Sequence, residues 1–147
     1  MRCLCLRGPG DAVQLRLYVR QNELGELVIS PFDAQFGDCR VFQPDLLIMT
    51  PKDVESGRRD AARELLLAVE VISPGSTRHD RVRKRTTYQE ERVDELWLID
   101  PDSELAERWR PDDERPEILT ERLVWKPTDA ESPLSIDLVA LFTEAKR

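Results

Sequence analysis

The apolar positions of the chain follow a helical spacing near its start and a strand spacing at its centre. Residues 12–24 (AVQLRLYVRQNEL) place apolar side chains at positions 13, 15, 17, 18 and 19, which predicts an amphipathic helix that ends near Gly25. Residues 65–72 (LLLAVEVI) form an apolar run of strand length, which stops at the breaker Ser73-Pro74-Gly75. We expect the rest of the fold to be organised around this central strand.

The central strand carries a single charged side chain, Glu70. Strand alternation predicts one face made of Leu65, Leu67, Val69 and Val71, and an opposite face made of Leu66, Ala68, Glu70 and Ile72. Both faces are apolar apart from Glu70, which indicates a strand that is covered on both sides. An ionised carboxylate in such a strand is costly unless it is paired or binds a metal. Structural pairing with an arginine and a functional role are equally open on chemistry alone.

Breakers and hydrophobic periods predict the remaining elements of a mixed sheet with a helix at each side. A polar, turn-rich surface loop is predicted over residues 50–60, and residues 111–116 are predicted to form the turn of an antiparallel pair. A second helix is predicted at 78–92, with Ser76 or Thr77 as its cap. Strands are predicted within 26–36, with a bend at Ser30-Pro31, and at 46–49, 95–99, 103–109 and 118–125. A short strand followed by a final helical turn is predicted at 133–142.

Composition limits the class of protein. A chain of 147 residues with 40% hydrophobic and 35% charged residues suits one globular domain, in which we expect residues 1–10 to be loosely ordered. No apolar run approaches the roughly 20 residues of a membrane span, and the start lacks the apolar core of a secretory signal. Three cysteines without a Cys-x-x-Cys spacing argue against zinc and disulfides and fit a cytoplasmic location. The single histidine, His79, excludes a multi-histidine metal centre.

Charge is distributed unevenly along the chain. The net charge of −7 argues weakly against nonspecific binding to nucleic acid. Residues 78–92 nevertheless hold six basic and three acidic side chains, a local charge of +3, whereas residues 101–121 hold three basic and eight acidic ones, a local charge of −5. The basic segment follows Glu70 closely, and the acidic segment is typical of a solvated surface.

Three groups of residues are candidates for chemistry. Asp45 and Glu70 lie 25 residues apart, each at an apolar strand, and on neighbouring strands they could share one Mg²⁺ ion. The second group, Asp80, Lys84 and Tyr88, shares one helix face. Lys84 could point towards Glu70 and take part in catalysis, or Asp80 and Lys84 could form an ordinary ion pair with Tyr88 in the core. The third group is a phosphate-contacting patch or a solvated helix face, and consists of Arg78, Arg81, Arg83, Arg85, Arg92 and His79.

These residues stand in segments that resemble a known family. Pro44-Asp45, EVISPGSTRHDRVRK (70–84), Tyr88 and VDELWLIDP (93–101) resemble, in order and spacing, the Uma-type family of putative restriction endonucleases. That family is bacterial and lies within the PD-(D/E)XK nuclease superfamily. The resemblance implies a restriction-endonuclease-like mixed sheet flanked by helices, with a C-terminal antiparallel β extension. It also implies cleavage of DNA with Mg²⁺ or Mn²⁺ as cofactor.

The resemblance carries over residue by residue. Asp45 matches the aspartate of the PD motif and Glu70 the acidic residue of (D/E)XK, and both are implied to be catalytic and metal ligands together with the backbone carbonyl of Val71. Ile72 stands where the superfamily has lysine, and Lys84 on the next helix is implied to replace it. The basic segment is expected to contact DNA through Arg81, Arg83 and Arg85, and Asp33, Asp80 and Tyr88 match or adjoin further family positions.

Two departures from the family pattern bear on function. Glu91-Arg92-Val93 replaces an Ala-Gly-Val segment, and MRCLCLRGPG stands where the family has a longer N-terminal element, as if the start were truncated. The expected function is Mg²⁺-dependent hydrolysis of DNA phosphodiester bonds. The alternative is a catalytically degenerate nuclease fold that serves as a nucleic-acid- or protein-binding module, and a homodimer built on the acidic hairpin is a further possibility.

Overall fold

The structure is a computed structural model in which residues 10–58 and 60–146 are described. Most of the N-terminal segment expected to be loosely ordered lies outside these residues. The helices are α1 (Asp11–Gln21), α2 (Pro51–Glu55), α3 (Arg78–Glu90) and α4 (Leu138–Ala145). The strands are β1 (Glu26–Ile29), β2 (Asp33–Phe36), β3 (Arg40–Phe42), β4 (Leu46–Met49), β5 (Ala61–Ala62), β6 (Leu65–Val71), β7 (Glu95–Asp100), β8 (Leu105–Trp109), β9 (Glu117–Leu119), β10 (Arg122–Trp125) and β11 (Leu134–Asp137).

A six-stranded mixed sheet in the order β1-β4-β6-β7-β8-β9 forms the centre of the fold. Strands β6 and β7 are parallel, and every other neighbouring pair in this sheet is antiparallel. A parallel pair needs a crossover connection, which helix α3 supplies. The predicted α/β class, with a mixed sheet between helices and further antiparallel strands towards the C-terminus, is confirmed.

Both faces of the sheet are covered by apolar side chains. Helix α3 and the small sheet β3-β2-β5 cover one face, where Tyr88, Phe36 and Ala62 meet Ala68 and Leu98. The other face packs against α1, α4 and the β10–β11 pair, whose core side chains include Leu15, Tyr18, Val19, Leu123, Trp125, Ile136, Leu141 and Phe142. The covering on both sides explains why the sequence of β6 is apolar at almost every position.

A β-bulge changes the predicted faces of β6. Met49 pairs with Leu65 while Ile48 pairs with Leu67, so that Leu66 is an extra residue opposite β4. Leu65 consequently packs in the cluster that contains Ala68, and Leu66 packs against the opposite cluster. The prediction for these two residues was wrong because simple alternation cannot reveal an inserted residue. The predicted sides of Leu67, Ala68, Val69 and Val71 are as observed.

The surface loop predicted over residues 50–60 contains a short helix. Thr50 caps α2 by accepting a hydrogen bond from the Asp53 N–H at 3.2 Å, and Pro51 occupies the first helical turn. Asp53 is buried, and its carboxylate accepts the backbone N–H groups of Arg63 and Glu64 at 2.6 and 3.1 Å. This acidic residue therefore serves the fold by tying α2 to the start of β6.

The strand predicted over residues 118–125 is divided in two. Residues 117–119 form β9 and extend the central sheet beside β8, whereas residues 122–125 form β10 and pair with β11. The break lets Trp125 turn into the core, where its ring lies 5.7 Å from that of Trp97. Residues 111–116 do connect an antiparallel pair, β8 and β9, as predicted.

The ends of the two long helices depend on left-handed backbone. Glu23 takes this conformation at the end of α1, with a φ of +52°. Two residues later Gly25 has a φ of +115°, and a side-chain Cβ there would lie 1.8 Å from the Met49 carbonyl oxygen. Helix α3 ends in a Schellman motif, because the Val93 N–H donates to the Tyr88 carbonyl and the Arg92 N–H donates to the Gln89 carbonyl. Arg92 takes the left-handed position of that motif with a φ of +58°. Its place in the Ala-Gly-Val segment of the family is the position for which glycine is best suited.

None of the described helices is both long and apolar enough to span a membrane.

Candidate active site

Sheet register brings Asp45 and Glu70 side by side. Leu46, the first residue of β4, pairs with Val69 of the antiparallel strand β6, so the next pair outward joins Asp45 to Glu70. Directly opposed residues of antiparallel strands point to the same face. Leu46 and Val69 both lie in the cluster beneath α1, which directs the two carboxylates to the opposite face, beneath α3. Both line one cleft of about 380 Å³.

Glu70 is 8% exposed and is held by two side chains of α3. The Tyr88 hydroxyl, which is fully buried, donates a hydrogen bond to Glu70 Oε1 at 3.1 Å. The Lys84 ammonium lies 3.6 Å from Glu70 Oε2. One oxygen therefore faces a neutral donor and the other faces a cation, which holds the carboxylate in a single orientation.

Burial dominates the electrostatics of Glu70. Loss of solvent, with a smaller contribution from the nearby Asp45, raises the pKa of this carboxyl to about 7 despite the opposing attraction of Lys84. Burial also raises the pKa of Tyr88 well above its usual value, and the adjacent Glu70 adds to that effect. Tyr88 therefore stays protonated and acts as a hydrogen-bond donor to Glu70.

Asp45 bridges the two strands at the mouth of the cleft. Its carboxylate oxygen Oδ2 accepts a hydrogen bond from the Val71 N–H at 2.7 Å, and its backbone carbonyl accepts one from the Ser30 N–H at 3.0 Å. These bonds hold Asp45 beside the end of β6. Val71 itself lines the cleft, next to Glu70 in sequence and next to Asp45 in space.

Lys84 lies between two carboxylates at the cleft wall. Its ammonium is 3.7 Å from Asp80 Oδ2 in addition to its contact with Glu70, and the side chain is about one-third exposed. Asp80 also pairs with Arg83 at 3.3 Å. Ile72, at the position where the superfamily has lysine, packs its side chain against the core cluster of Tyr88 and cannot supply a cation. Lys84 on helix α3 therefore supplies the positive charge that is absent at position 72.

The residues of the cleft suit a hard divalent cation. Among residues 10–58 and 60–146, no three acidic, histidine or cysteine side chains are grouped as a metal site. Two carboxylates with oxygen donors on adjacent strands are nevertheless the ligand set that Mg²⁺ uses, since this ion retains several waters and takes only one or two protein carboxylates. Asp45 and Glu70 line one cleft on adjacent strands and so fit this ligand set, and the raised pKa of Glu70 has its cause in burial that a cation would offset.

The three arginines expected to contact DNA do not share one surface. Arg81 lines the cleft itself. Arg85 lies one turn further along α3, with its guanidinium 4.4 Å above the ring centre of Trp109. Arg83 points to the other side of the helix, where it lies 5.5 Å from the Phe42 ring centre and pairs with Asp80. A patch composed of all three is therefore not formed.

Asp33 lies outside the cleft and reaches it through a neighbour. Its carboxylate accepts a hydrogen bond from Gln43 Nε2 at 2.7 Å, and Gln43 lines the cleft. Sequence reasoning missed Gln43, although its position two residues before Asp45 was a usable signal. It also missed Leu98, which pairs with Glu70 across β6 and β7 and forms part of the cleft wall.

A solved structure shares this arrangement of elements. The crystal structure described as a putative nuclease belonging to DUF820 from Anabaena variabilis ATCC 29413 superposes with a TM-score of 0.72 at 20% sequence identity, over 90% of this chain and 75% of that one. At this identity the likeness defines the fold, which is that of a nuclease-like α/β protein. No curated protein matches the sequence.

The sequence places the chain within that class. Residues 12–138 match the model of the family Uma2, described as "Putative restriction endonuclease", and the chain belongs to this family. Family and fold together support a nuclease, and hence a nucleic-acid substrate. The predicted family is confirmed.

Proposed function

We propose that this protein hydrolyses phosphodiester bonds of DNA with Mg²⁺ or Mn²⁺ as cofactor. The observation that carries the proposal is the position of Lys84, whose ammonium lies 3.6 Å from Glu70 Oε2 in the cleft that Asp45 also lines. Two carboxylates and one cation around a single cleft form the minimal set for cleavage of a phosphate ester. Asp45 comes directly before β4, Glu70 lies near the end of β6, and Lys84 lies on α3, the helix that follows β6.

Each residue has a distinct role in this proposal. Asp45, Glu70 and the Val71 carbonyl would hold the cation. The chemistry that such an ion supplies when bound is neutralisation of phosphate charge and a lower pKa of water. Lys84 orients the attacking water or the scissile phosphate with its ammonium, and Asp80 restrains the lysine side chain. Tyr88 positions Glu70 through its hydroxyl and is a positioning residue.

Plasmid cleavage with and without Mg²⁺ or Mn²⁺ tests the proposal. Lys84→Ala should lower the cleavage rate by about 100- to 1,000-fold, the usual contribution of one electrostatic group. It should leave Mg²⁺ binding nearly intact because the three proposed ligands are untouched. Glu70→Ala should abolish both cleavage and Mg²⁺ binding.

Lys52 supplies a matched control, since its side chain is 84% exposed and its partner Glu64, 3.5 Å away, is 50% exposed. Lys52→Ala should cleave at the rate of the parent protein. Cleavage by the parent that survives in EDTA, or that survives in Lys84→Ala, would refute the proposed roles. Absence of cleavage by a folded, Mg²⁺-binding parent would favour the non-catalytic binding module.

A further inference from the structure

A second cavity of about 380 Å³ adjoins the cleft along α3. We call it the arginine groove, and define it by Arg78, Arg81, Arg85, Glu107 and Trp109. The three arginines recur at spacings of three and four residues and therefore lie on one face of the helix. Strand β8 contributes Glu107 and Trp109 to the opposite wall.

The arginine groove is continuous with the cleft. Arg81 and Leu98 line both cavities, so that no other element separates them. The arginine groove contains three cationic side chains and one carboxylate, Glu107, whose Oε2 accepts the Trp109 indole N–H at 2.9 Å. The net charge of the arginine groove is therefore positive, although the net charge of the whole chain is −7. Such a local excess attracts an anionic chain.

Arg81 indicates a missing partner. In the part of the chain that the structure describes, the Arg81 Nε is the one buried side-chain nitrogen or oxygen without a hydrogen-bond partner. A buried donor left unpaired costs about 1–3 kcal/mol. Rotation of the Arg81 side chain towards a phosphate in the groove would satisfy this donor, and guanidinium groups match phosphate geometry well.

The groove is built to contact backbone rather than bases. Trp109 is 8% exposed, and the face of its ring is occupied by the Arg85 guanidinium at 4.4 Å. The ring therefore fixes the arginine and offers no open surface on which a base could stack. Phosphate contacts of this kind set position and carry no sequence information.

We propose that the arginine groove binds the phosphate backbone of the DNA strand beyond the cleft, without regard to base sequence. The strand would pass from the cleft of Asp45 and Glu70 across Arg81 and along α3, and Arg83 on the other side of the helix would take no part. This inference rests on the proposed function for its choice of ligand.

Binding without cleavage tests the inference. Fluorescence anisotropy with a short labelled DNA duplex of arbitrary sequence, and with one of its strands, is measured in EDTA at several salt concentrations. Each phosphate contact removed lowers the slope of log affinity against log salt by about 0.9 for duplex and 0.7 for single-stranded DNA. The double variant Arg78→Gln/Arg81→Gln should therefore have a duplex slope about 1.8 smaller than that of the parent. Between about 50 and 200 mM salt, its affinity should fall by a factor roughly ten times smaller than the factor by which the affinity of the parent falls.

Two controls isolate the groove. Arg16→Gln/Arg20→Gln removes the same charge from α1, which packs on the opposite face of the sheet, and should retain the slope of the parent. Arg83→Gln removes one charge from α3 outside the arginine groove and should also retain it. If the double variant does not fold, the exposed Arg78→Glu alone should lower affinity at low salt.

The outcomes separate the two proposals. An unchanged slope in the groove variant, an equal loss in Arg83→Gln, or no binding by the parent to either probe would overturn the inference. Cleavage by the parent with an unchanged slope in the variant would leave the proposed function standing alone. Groove-dependent binding by a parent that does not cleave would support the inference and refute the nuclease activity.

Discussion

Replacement of Glu70 by glutamine should stabilise the metal-free protein at neutral and alkaline pH. Glutamine keeps the volume of the side chain and an oxygen that accepts the Tyr88 hydroxyl, but it removes the buried charge. Lys84 retains Asp80 as a partner at 3.7 Å. The substitution thus removes mainly the cost of keeping a carboxylate out of water.

The magnitude follows from the pKa of Glu70, which burial raises from its ordinary value of 4.5 to about 7 in the folded protein. Between these two pH values the folded protein binds a proton that the unfolded chain has lost, so stability falls as pH rises through this window. The loss is about 1.4 kcal/mol for each pH unit and reaches about 3 kcal/mol above the folded-state pKa. Glu70→Gln lacks this titration and should gain the same amount over the parent.

Urea unfolding in EDTA measures this difference. The free energy of unfolding of Glu70→Gln should exceed that of the parent by about 3 kcal/mol near pH 8.5 and by little near pH 5. Glu114→Gln, at an exposed position in the turn between β8 and β9, should show no such pH-dependent gain. A difference that does not vary with pH, or a loss of stability near pH 8.5, would refute the reasoning.

The same experiment with Mg²⁺ connects stability to the proposed site. Mg²⁺ at tenfold its Kd should stabilise the parent by about 1.4 kcal/mol near pH 8.5, because a ligand that binds only the folded state adds RT ln(1 + [L]/Kd). Glu70→Gln should show little of this gain. Equal stabilisation of both proteins would mean that Mg²⁺ binds elsewhere.

Three further substitutions test the packing around the site. Arg92→Gly should raise the free energy of unfolding, measured with urea, by about 1 kcal/mol, since glycine accepts the φ of +58° without strain. A loss of stability would contradict this account of the Schellman motif. Tyr88→Phe should lower stability by about 2 kcal/mol near pH 8.5, because it removes the hydroxyl that donates a hydrogen bond to an ionised Glu70. An unchanged urea midpoint would count against the contribution of this hydrogen bond. Arg108→Ala should cost about 3 kcal/mol, because it removes a buried guanidinium and leaves Glu95, 3.8 Å away and 13% exposed, with less countercharge. The exposed Arg122→Ala should cost little.

The local sequence pattern was sufficient to predict those helices and strands whose limits depend on their own residues. The apolar run that forms β6 and the capped basic helix that follows it were predicted close to their observed limits, with Thr77 as the cap of α3. The bend at Ser30-Pro31 and the strand-to-helix passage at the C-terminus were predicted for the same reason. Hydrophobic period and breaker residues act over a few positions, and these are the signals that a single sequence carries.

Errors arose where a distant partner decided the outcome. Helix α2 is fixed to the fold by Asp53, whose carboxylate accepts backbone N–H groups ten and eleven residues away. The bulge at Leu66 exists only in relation to β4, and the break after β9 is decided by the pairing of β10 with β11. None of these partners is visible in the segment itself.

The candidate site divides in the same way. The resemblance to the family, together with the cost of a charge in an apolar strand, was enough to single out Asp45, Glu70 and Lys84. The three-dimensional fold was needed to show that the strands of the two carboxylates are neighbours and that Lys84 lies 3.6 Å from Glu70. It was also needed to show that Arg83 lies apart from the groove that Arg81 and Arg85 line. The physical reason is that spacing along a helix or strand defines which residues share a face, whereas the direction of that face depends on what packs against it.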